Sequence, residues 1–544
     1  MQSSPPSQIS VDAIALSAER GWLENLSMAE KLPMALAFGC LLGLSSAAFD
    51  MTFLAWIALA PLLVLLRAAS SRTEAAWTGL IFGLGYHLVG LSCCLGLYPL
   101  RWLGMPDLFA MQTCALIWLV ESLHQAILFS AFALLIYCLP VRSGFVAFYK
   151  RPYIPYLLCV PIVWMFFQWT IGTAEWFKAL PVNQLAYSQH ANLPLIQLAR
   201  YGGSGLVDML IVLCNAALAQ LVLDCTNLAP ALGQRVDQFS KVIGSTLDCV
   251  LVALLLTVVN IGGRAETADV AYASRTDSVD NFYDQTPTVP VGIIQGNVSI
   301  EEERMKTSSN AEIAKRYSQL ATNIGVNLLI YPEGVLNSQQ SEHGLLLDGM
   351  QNLVRREKKE IIVGSIESLN DGRINGARLL SFLPTKEVLY AKQRLVPFGE
   401  FAPLGIFGQD VAKIYSGPER FLQGNQTHLL QTMWGKVGVS ICNEIIYPHL
   451  ISTEVRRGAS LLVNIANLGW FHSSSLNRQM LAAAVFRAVE NGRYVVIASN
   501  TGISAVIDPS GMVKSQSIPG KRGVILDTVQ FLYKPTPFSR MWWL

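Results

Sequence analysis

Nearly all the long apolar runs of this 544-residue chain fall between residues 31 and 262, and the rest of the sequence reads as an ordinary water-soluble domain. A chain divided in that way has to fold against two different solvents. Crossing the hydrocarbon core of a bilayer takes about 20 mostly apolar residues. Seven stretches qualify, at roughly 32–48, 52–67, 75–98, 108–139, 154–171, 205–223 and 242–262. The first two are short enough to form a tight hairpin. The fourth is too long to stand upright, so it is expected to tilt or protrude. The whole chain is 52% hydrophobic and only 14% charged, whereas a soluble protein is nearer a quarter charged. A net charge of +2 without a basic block gives no basis for nucleic-acid binding.

Lys and Arg in the short loops set the orientation. With the polar N-terminus, residues 1–30, in the cytoplasm, the inside loops carry Arg67, Arg72, Arg142, Lys150, Arg151, Arg235 and Lys241. The outside loops carry only Arg101, Lys178 and Arg200. The N-terminus lacks the basic start, apolar core and cleavage site of a signal peptide, so the first span is expected to act as an uncleaved anchor. Seven spans over residues 31–263 then leave the large C-terminal part outside the cytoplasm. Glu121 and His124 sit inside the fourth apolar stretch, and a spacing of three puts them on one helix face. They are either a functional pair, a mutually bonded structural pair, or a pair near the interface where the long helix leaves lipid.

Residues 264–290 are polar, end in Thr-Pro-Thr-Val-Pro, and read as a linker. From 291 to 527 short apolar strands alternate with helical stretches. Strands are expected at 291–296, 327–331, 360–365, 378–383, 436–441, 459–465, 494–500, 503–508 and 523–527, and helices at 301–324, 344–358 and 476–491. Near-continuous apolar strands belong to sheets covered on both faces, so this half is a layered α/β domain. No Gly-rich phosphate loop and no ligand-spaced His/Cys cluster occurs, so neither a nucleotide nor a metal cofactor is expected. Residues 528–544 are too short and too interrupted by Pro535 and Pro537 to span a membrane. Yet Phe531, Leu532, Tyr533, Phe538, Met541, Trp542, Trp543 and Leu544 are a heavy apolar load. This tail is expected at the membrane interface, where aromatic rings are favoured; packing of the same rings on the domain is the alternative.

Nine of the ten cysteines lie in the membrane half, where they read as small apolar side chains. Cys442 alone lies in the soluble half, so no disulfide can form within that half. It directly follows the apolar strand Val437–Ile441. Glu333 and Lys392 likewise follow Leu328–Tyr331 and Val388–Ala391, and strand ends are where α/β folds collect their sites. The three types fit one chemistry. A thiol needs activation to attack an unactivated ester, and a glutamate raised in pKa by burial serves as general base. A lysine and the backbone N–H of Asn443 are suited to stabilise the oxyanion.

The local sequences around these residues resemble the carbon–nitrogen hydrolase (nitrilase) superfamily. Tyr331-Pro332-Glu333, Ala391-Lys392 through Val396-Pro397-Phe398-Gly399-Glu400-Phe401, and Ile441-Cys442-Asn443-Glu444 are similar to its three signatures in order. The spacings are 59 (392 − 333) and 50 (442 − 392) residues. Residues 32–544 as a whole are similar to its membrane branch, the apolipoprotein N-acyltransferases. The Val396–Leu404 stretch, Tyr187-Ser188-Gln189, Pro194–Ala199 and Gly202–Leu206 carry that likeness, with further matches at Asn467–Phe471, Arg487–Arg493 and Asn500–Gly502. The resemblance implies a multi-spanning helical domain followed by an α-β-β-α sandwich with a catalytic Glu333–Lys392–Cys442 triad. Glu400 and Glu444 would hold Lys392 or order the acceptor.

It also implies the reaction. A fatty acyl chain would pass from a phospholipid donor to Cys442 as a thioester, and then to the α-amine of a diacylated lipoprotein acceptor. The enzyme would be a monomer of the bacterial inner membrane, with its catalytic domain in the periplasm, needing no cofactor. Asn443 stands where the family often has Tyr, and Gly334 where it has Thr or Ser. Leu468 stands where it has Asp, and no Trp follows Gln295-Gly296-Asn297 closely. The family's usual last spanning helix has no counterpart before Leu544. The alternative is a membrane-tethered amidase, because water competes with an amine for the same thioester.

Overall fold

The structure is a computed structural model that describes residues 26–138, 156–173, 181–226, 235–275, 287–305, 307–338, 343–384, 388–396, 400–401, 421–472 and 474–541. The chain forms two compact units. One comprises residues 1–91, 119–179 and 208–259, the other 92–118, 180–207 and 260–544.

The first unit is helical. Its segments come from α1 (Met28–Leu44), α2 (Ala60–Arg67), α3 (Arg72–Gly90), α4 (Asp107–Cys138), α5 (Tyr156–Thr173), α6 (Ser204–Thr226) and α7 (Arg235–Arg275). Among the described residues, three helical stretches, Asp107–Cys138, Ser204–Thr226 and Lys241–Val270, are long and apolar enough to cross a membrane, and Thr52–Arg67 and Tyr156–Thr170 are shorter and also apolar. Lipid gives apolar helices no hydrophobic reason to associate, so close backbone packing does the work. A β-carbon on Gly39 would fall 2.1 Å from the Phe82 carbonyl oxygen, so only glycine lets α1 approach α3 there. The expected second span divides into a 3₁₀ turn, Thr52–Trp56, and α2. Pro61 starts α2, and the Asn215 side chain caps it, accepting from the N–H groups of Leu59 and Ala60 at 3.0 and 2.9 Å. Glu121 and His124 do share a face. His124 Nδ1 lies 3.4 Å from one Glu121 oxygen, and Gln125 donates to the other at 2.8 Å.

The second unit is an α-β-β-α sandwich. One sheet has the order β13-β1-β2-β4-β5-β6, with β3 paired to β4. Its strands are β1 (Thr288–Gln295), β2 (Leu328–Ile330), β3 (Leu336–Asn337), β4 (Glu360–Leu369), β5 (Gly372–Leu380), β6 (Leu389–Ala391) and β13 (Gly523–Gln530). The other has the order β12-β11-β10-β9-β8-β7. Its strands are β7 (Leu430–Gln431), β8 (Lys436–Ile441), β9 (Leu461–Ala466), β10 (Val495–Ser499), β11 (Ala505–Ile507) and β12 (Val513–Gln516). The middle strands run parallel in each sheet: β1-β2-β4 and β8-β9-β10. Alternate residues such as Val291 and Ile293 meet Val437, Val439 and Ile441 in one buried core between the sheets. Their neighbours Ile294, Leu329 and Ile361 face outward under Tyr317 of α9 (Asn310–Leu320) and Met350 and Val354 of α10 (His343–Glu357). That two-sided burial is why these strands read as continuous apolar runs. The second sheet is covered by α11 (Pro448–Arg456) and by α12 (Leu476–Asn491), which is buried along nearly its whole length.

Several boundaries differ from the sequence expectation. The linker begins as helix: α7 continues to Arg275, held by an Arg200–Glu266 ion pair at 3.1 Å, and β1 already starts at Thr288. Residues 276–286 lie outside the described residues. The expected helix 301–324 is two helices, α8 (Ile300–Met305) and α9, because Ser309 starts a new capping box with Glu312. Stretches 92–118 and 180–207 group with the sandwich unit, although their hydropathy places them in the membrane half. Much of the tail is packed rather than free. Residues 528–530 complete β13, Phe531 is fully buried in the inter-sheet core, and Phe538 is buried against Gly203. Among the tail's described aromatic rings only Tyr533 is exposed, and its hydroxyl donates to the Trp434 carbonyl. Trp542, Trp543 and Leu544 lie outside the described residues.

Candidate active site

The site forms where the parallel strands end. Beyond β2, the Tyr331 N–H still donates to the Ile362 carbonyl and the Gly364 N–H to the Pro332 carbonyl, so the chain is held in register up to Glu333. A β-carbon at Gly364 would lie 2.6 Å from the Glu333 α-carbon, which makes glycine necessary on the neighbouring strand. Gly334 has φ +72°, in the left-handed region. Glycine adopts that region without strain, which accounts for the departure from Thr or Ser noted in the sequence.

Glu333 is anchored on both oxygens. Oε2 accepts the Asn467 backbone N–H at 2.8 Å, and Oε1 accepts the Asn375 side-chain amide at 2.7 Å, with Lys392 Nζ 3.4 Å away. Lys392 is buried, and its Nζ donates to Glu400 Oε1 at 2.9 Å. Burial favours the neutral amine, but the charges of Glu333, Glu400 and the Cys442 sulfur outweigh it and hold the ammonium above its ordinary range. Glu400 also accepts from Asn375 at 2.9 Å, and its other oxygen takes the Val396 N–H at 2.8 Å. Pro397, Phe398 and Gly399 lie outside the described residues.

Cys442 opens a 3₁₀ turn directly after β8, with φ +54°. A non-glycine residue in that region is under strain, and such strain gathers at functional sites. Here it turns the chain sharply and sets the sulfur within electrostatic reach of Glu333 and Lys392. Burial pushes the thiol up, as does the Glu333 charge. Lys392 and the Asn443 backbone N–H oppose the shift without reversing it. The resting group is therefore held as a thiol.

Glu444 and Asn443 have different surroundings. Glu444 does not hydrogen-bond Lys392. Its carboxylate accepts the N–H groups of Gln393 and Arg394 at 2.5 and 3.0 Å and of Ile441 at 2.7 Å, together with the Tyr390 hydroxyl at 2.8 Å. It thus ties the strand end carrying Lys392 to the strand end carrying Cys442. Asn443 is buried, and its side-chain oxygen has no hydrogen-bond partner among the described residues. Three asparagines have no site role in the sequence analysis, although Asn467 opens one of its matched stretches. Asn375 and Asn467 orient Glu333, and Asn464 donates to the Cys442 carbonyl at 3.1 Å. The signal for Asn464 was present: a buried amide inside the apolar run Leu461–Ala466 needs a polar partner. Among the described residues no group of His, Cys, Asp and Glu is arranged to hold a metal ion.

Burial pushes Glu444 up to about 7 from an ordinary value of 4.5. Between those values the folded site binds a proton that the unfolded chain releases, so folding stability falls as pH rises through that window. Glu444→Gln is expected to flatten that slope. It is also expected to cost about 1–3 kcal/mol, because an amide nitrogen would then face a buried N–H donor. Thermal unfolding in detergent from about pH 4.5 to 7 checks both.

An α-β-β-α sandwich with Glu, Lys and Cys gathered at its strand ends defines a carbon–nitrogen hydrolase, and residues 291–533 match the family model for carbon-nitrogen hydrolases. Residues 38–217 match the model described as the apolipoprotein N-acyltransferase N-terminal domain. An apolipoprotein N-acyltransferase of Geobacter metallireducens is 30% identical over 89% of this chain and 86% of its own length. One from a Nostoc species is 26% identical over 86% of this chain and 87% of its own. The chain belongs to the apolipoprotein N-acyltransferase family. Among solved structures, yeast Nit3 of the nitrilase superfamily covers 45% of this chain and 90% of its own at 16% identity, with a TM-score of 0.35; the fold assignment rests on the strand order above.

Proposed function

We propose that this enzyme transfers a fatty acyl chain from a membrane phospholipid, through a thioester on Cys442, to the N-terminal α-amine of diacylglyceryl-cysteine in a lipoprotein. The observation that carries the reading is a partly buried thiol beside a doubly anchored carboxylate and a buried ammonium, in a chain that also has membrane-length apolar helices. Glu333 takes the thiol proton as the sulfur attacks the donor ester. Lys392 and the Asn443 N–H stabilise the oxyanion. Glu333 then returns the proton to the departing lysophospholipid oxygen, leaving acyl-Cys442. Asn375, Asn467 and Glu400 hold Glu333 and Lys392 in place, which reduces the reorganisation needed in the transition state. The amine of the acceptor then displaces the sulfur.

Both substrates are lipids, which accounts for a catalytic sandwich joined to apolar helices. In this reading the chain is a monomer with seven spans in the bacterial inner membrane and its sandwich unit in the periplasm. A periplasmic reporter fused after Leu544 is expected to be active and a cytoplasmic one silent; the opposite pattern contradicts the orientation. The reaction itself is tested with purified protein, phospholipid labelled in its acyl chain and a diacylglyceryl-cysteinyl peptide. The expected result is label in the peptide as an amide that survives hydroxylamine. Release of free fatty acid alone, with no labelled peptide, would indicate a hydrolase.

A further inference from the structure

Asn467, whose backbone N–H anchors Glu333 at 2.8 Å, also starts the 3₁₀ turn Gly469–Phe471, because its side-chain oxygen accepts the Gly469 N–H at 3.2 Å. Trp470 lies in that turn. Two other segments of the sandwich unit close on it. One leads into α8. Val298 exchanges hydrogen bonds with the Asn500 side chain at 2.9 and 2.7 Å, and Asn500 in turn donates to the Asn467 side-chain oxygen at 3.1 Å. The other is the stretch 92–103. A β-carbon on Gly96 would fall 2.6 Å from the Phe471 carbonyl oxygen, so glycine is what lets this stretch approach. His472 joins all three segments. Its Nδ1 donates to the Gly96 carbonyl at 2.9 Å, and its Nε2 lies 3.2 Å from Glu301 of α8.

Arg304, on α8, sits where the segments meet. Its guanidinium lies 5.3 Å from the ring centroid of Trp470 and 6.0 Å from that of Trp102, and the two indoles meet edge to face at 4.8 Å. An aromatic face steadies a cation without taking its N–H donors. Arg304 is exposed, and among the described residues it makes no hydrogen bond or ion pair. The neighbouring arginines are committed. Arg101 reaches both oxygens of Asp107 at 3.2 and 3.1 Å, and Arg316 both oxygens of Glu302 at 3.3 and 2.8 Å. Burial pushes the adjacent Glu303 carboxyl up, with Arg304 opposing the shift, which limits its competition for the cation. A planar fork with open donors matches the oxygens of a phosphate.

We infer that Arg304, set against Trp470 and Trp102, binds the phosphodiester of the phospholipid donor and so selects a phospholipid over a neutral ester. The phosphate and the ester attacked by Cys442 belong to the same glycerol. A donor seated at Glu333 and Cys442 therefore brings its negative charge toward the loop that Asn467 begins. Holding the phosphate there orients the glycerol and presents one ester to the sulfur. The acceptor's ammonium would be repelled by the same cation, which leaves the donor as the substrate the position suits. This inference deepens the proposed acyl transfer and rests on it.

The test compares two acyl donors on the full-length protein, a labelled phospholipid and a soluble p-nitrophenyl ester that carries no phosphate. Single-turnover acylation of Cys442 is measured at subsaturating donor. With phospholipid, Arg304→Gln is expected to acylate about tenfold more slowly than the wild type. With the p-nitrophenyl ester the two are expected to match, which also reports that the site is folded. Arg304→Lys keeps the charge without the fork and is expected to fall between them with phospholipid. Discharge of the acyl-enzyme to the diacylglyceryl-cysteinyl peptide is expected to be equal in all three. An equal loss with both donors would make Arg304 a support of the loop, and a loss confined to discharge would assign it to the acceptor. Either result, or undiminished acylation by phospholipid, or an Arg304→Lys variant no better than Arg304→Gln, would overturn the inference and leave the acyl transfer standing. A wild-type protein that phospholipid cannot acylate would overturn both.

Discussion

Cys442→Ala is expected to leave a folded protein that takes no label from phospholipid and transfers nothing to an amine. The sulfur is the atom that would bear the acyl group, and no neighbour is placed to substitute for it. The other nine cysteines belong to the N-terminal 249 residues. The change from thiol to methyl removes a partly buried polarisable group and leaves the surrounding hydrogen bonds intact. Asn464 donates to the residue's carbonyl, and the flanking Ile441 N–H donates to Glu444. One strain is retained: φ +54° is as unfavourable for Ala as for Cys, so stability is expected to change little. Cys442→Ser tests the nucleophile differently. Its less acidic hydroxyl lowers the rate, and any ester it formed would resist hydroxylamine more than a thioester does.

Glu333→Gln and Lys392→Ala are expected to stop acylation for different reasons. Glu333→Gln keeps the shape and the Asn467 bond but removes the base from a thiol that burial already holds in its protonated form. Single-turnover acylation is expected to fall by about 10²–10⁴. Lys392→Ala removes an oxyanion donor, a loss of about 2.7–4 kcal/mol of transition-state stabilisation. It also leaves Glu333 and Glu400, both partly buried, facing each other without their shared cation. Breaking such a buried ion pair costs about 3–5 kcal/mol of stability. The two effects separate in a double variant. Adding Glu400→Gln is expected to recover thermal stability without restoring acylation. Near-normal single-turnover acylation in either single variant would remove that residue from the mechanism.

The positions of these three side chains were legible because each directly follows an apolar strand, and parallel strands end together at one edge. The site's supports were harder to read. Asn375, Asn464 and Asn467 act through hydrogen bonds to residues 42, 22 and 134 positions away, and no local pattern encodes such pairings. Glu444 was expected to hold Lys392 or order the acceptor. Its oxygens are taken by backbone N–H groups and a tyrosine, because those donors would otherwise be buried unpaired. Hydropathy located the apolar helices but not their partners. It assigned 92–118 and 180–207 to the membrane half, and by their contacts these stretches group with the sandwich unit. The C-terminal aromatics suited either the membrane interface or packing on the domain, and Phe531 and Phe538 prove to be packed in the sandwich unit.

The central claim is that Cys442 carries the acyl chain between two lipids. It is tested most directly by incubating the purified protein with a phospholipid of defined acyl composition, digesting it and mapping the modified residue by mass spectrometry. The account predicts a mass increase of one fatty acyl group on the peptide containing Cys442, removed by neutral hydroxylamine and lost when acceptor peptide is added. An acyl group found on any other residue, or a label on the Cys442 peptide that the acceptor amine cannot discharge, would contradict it.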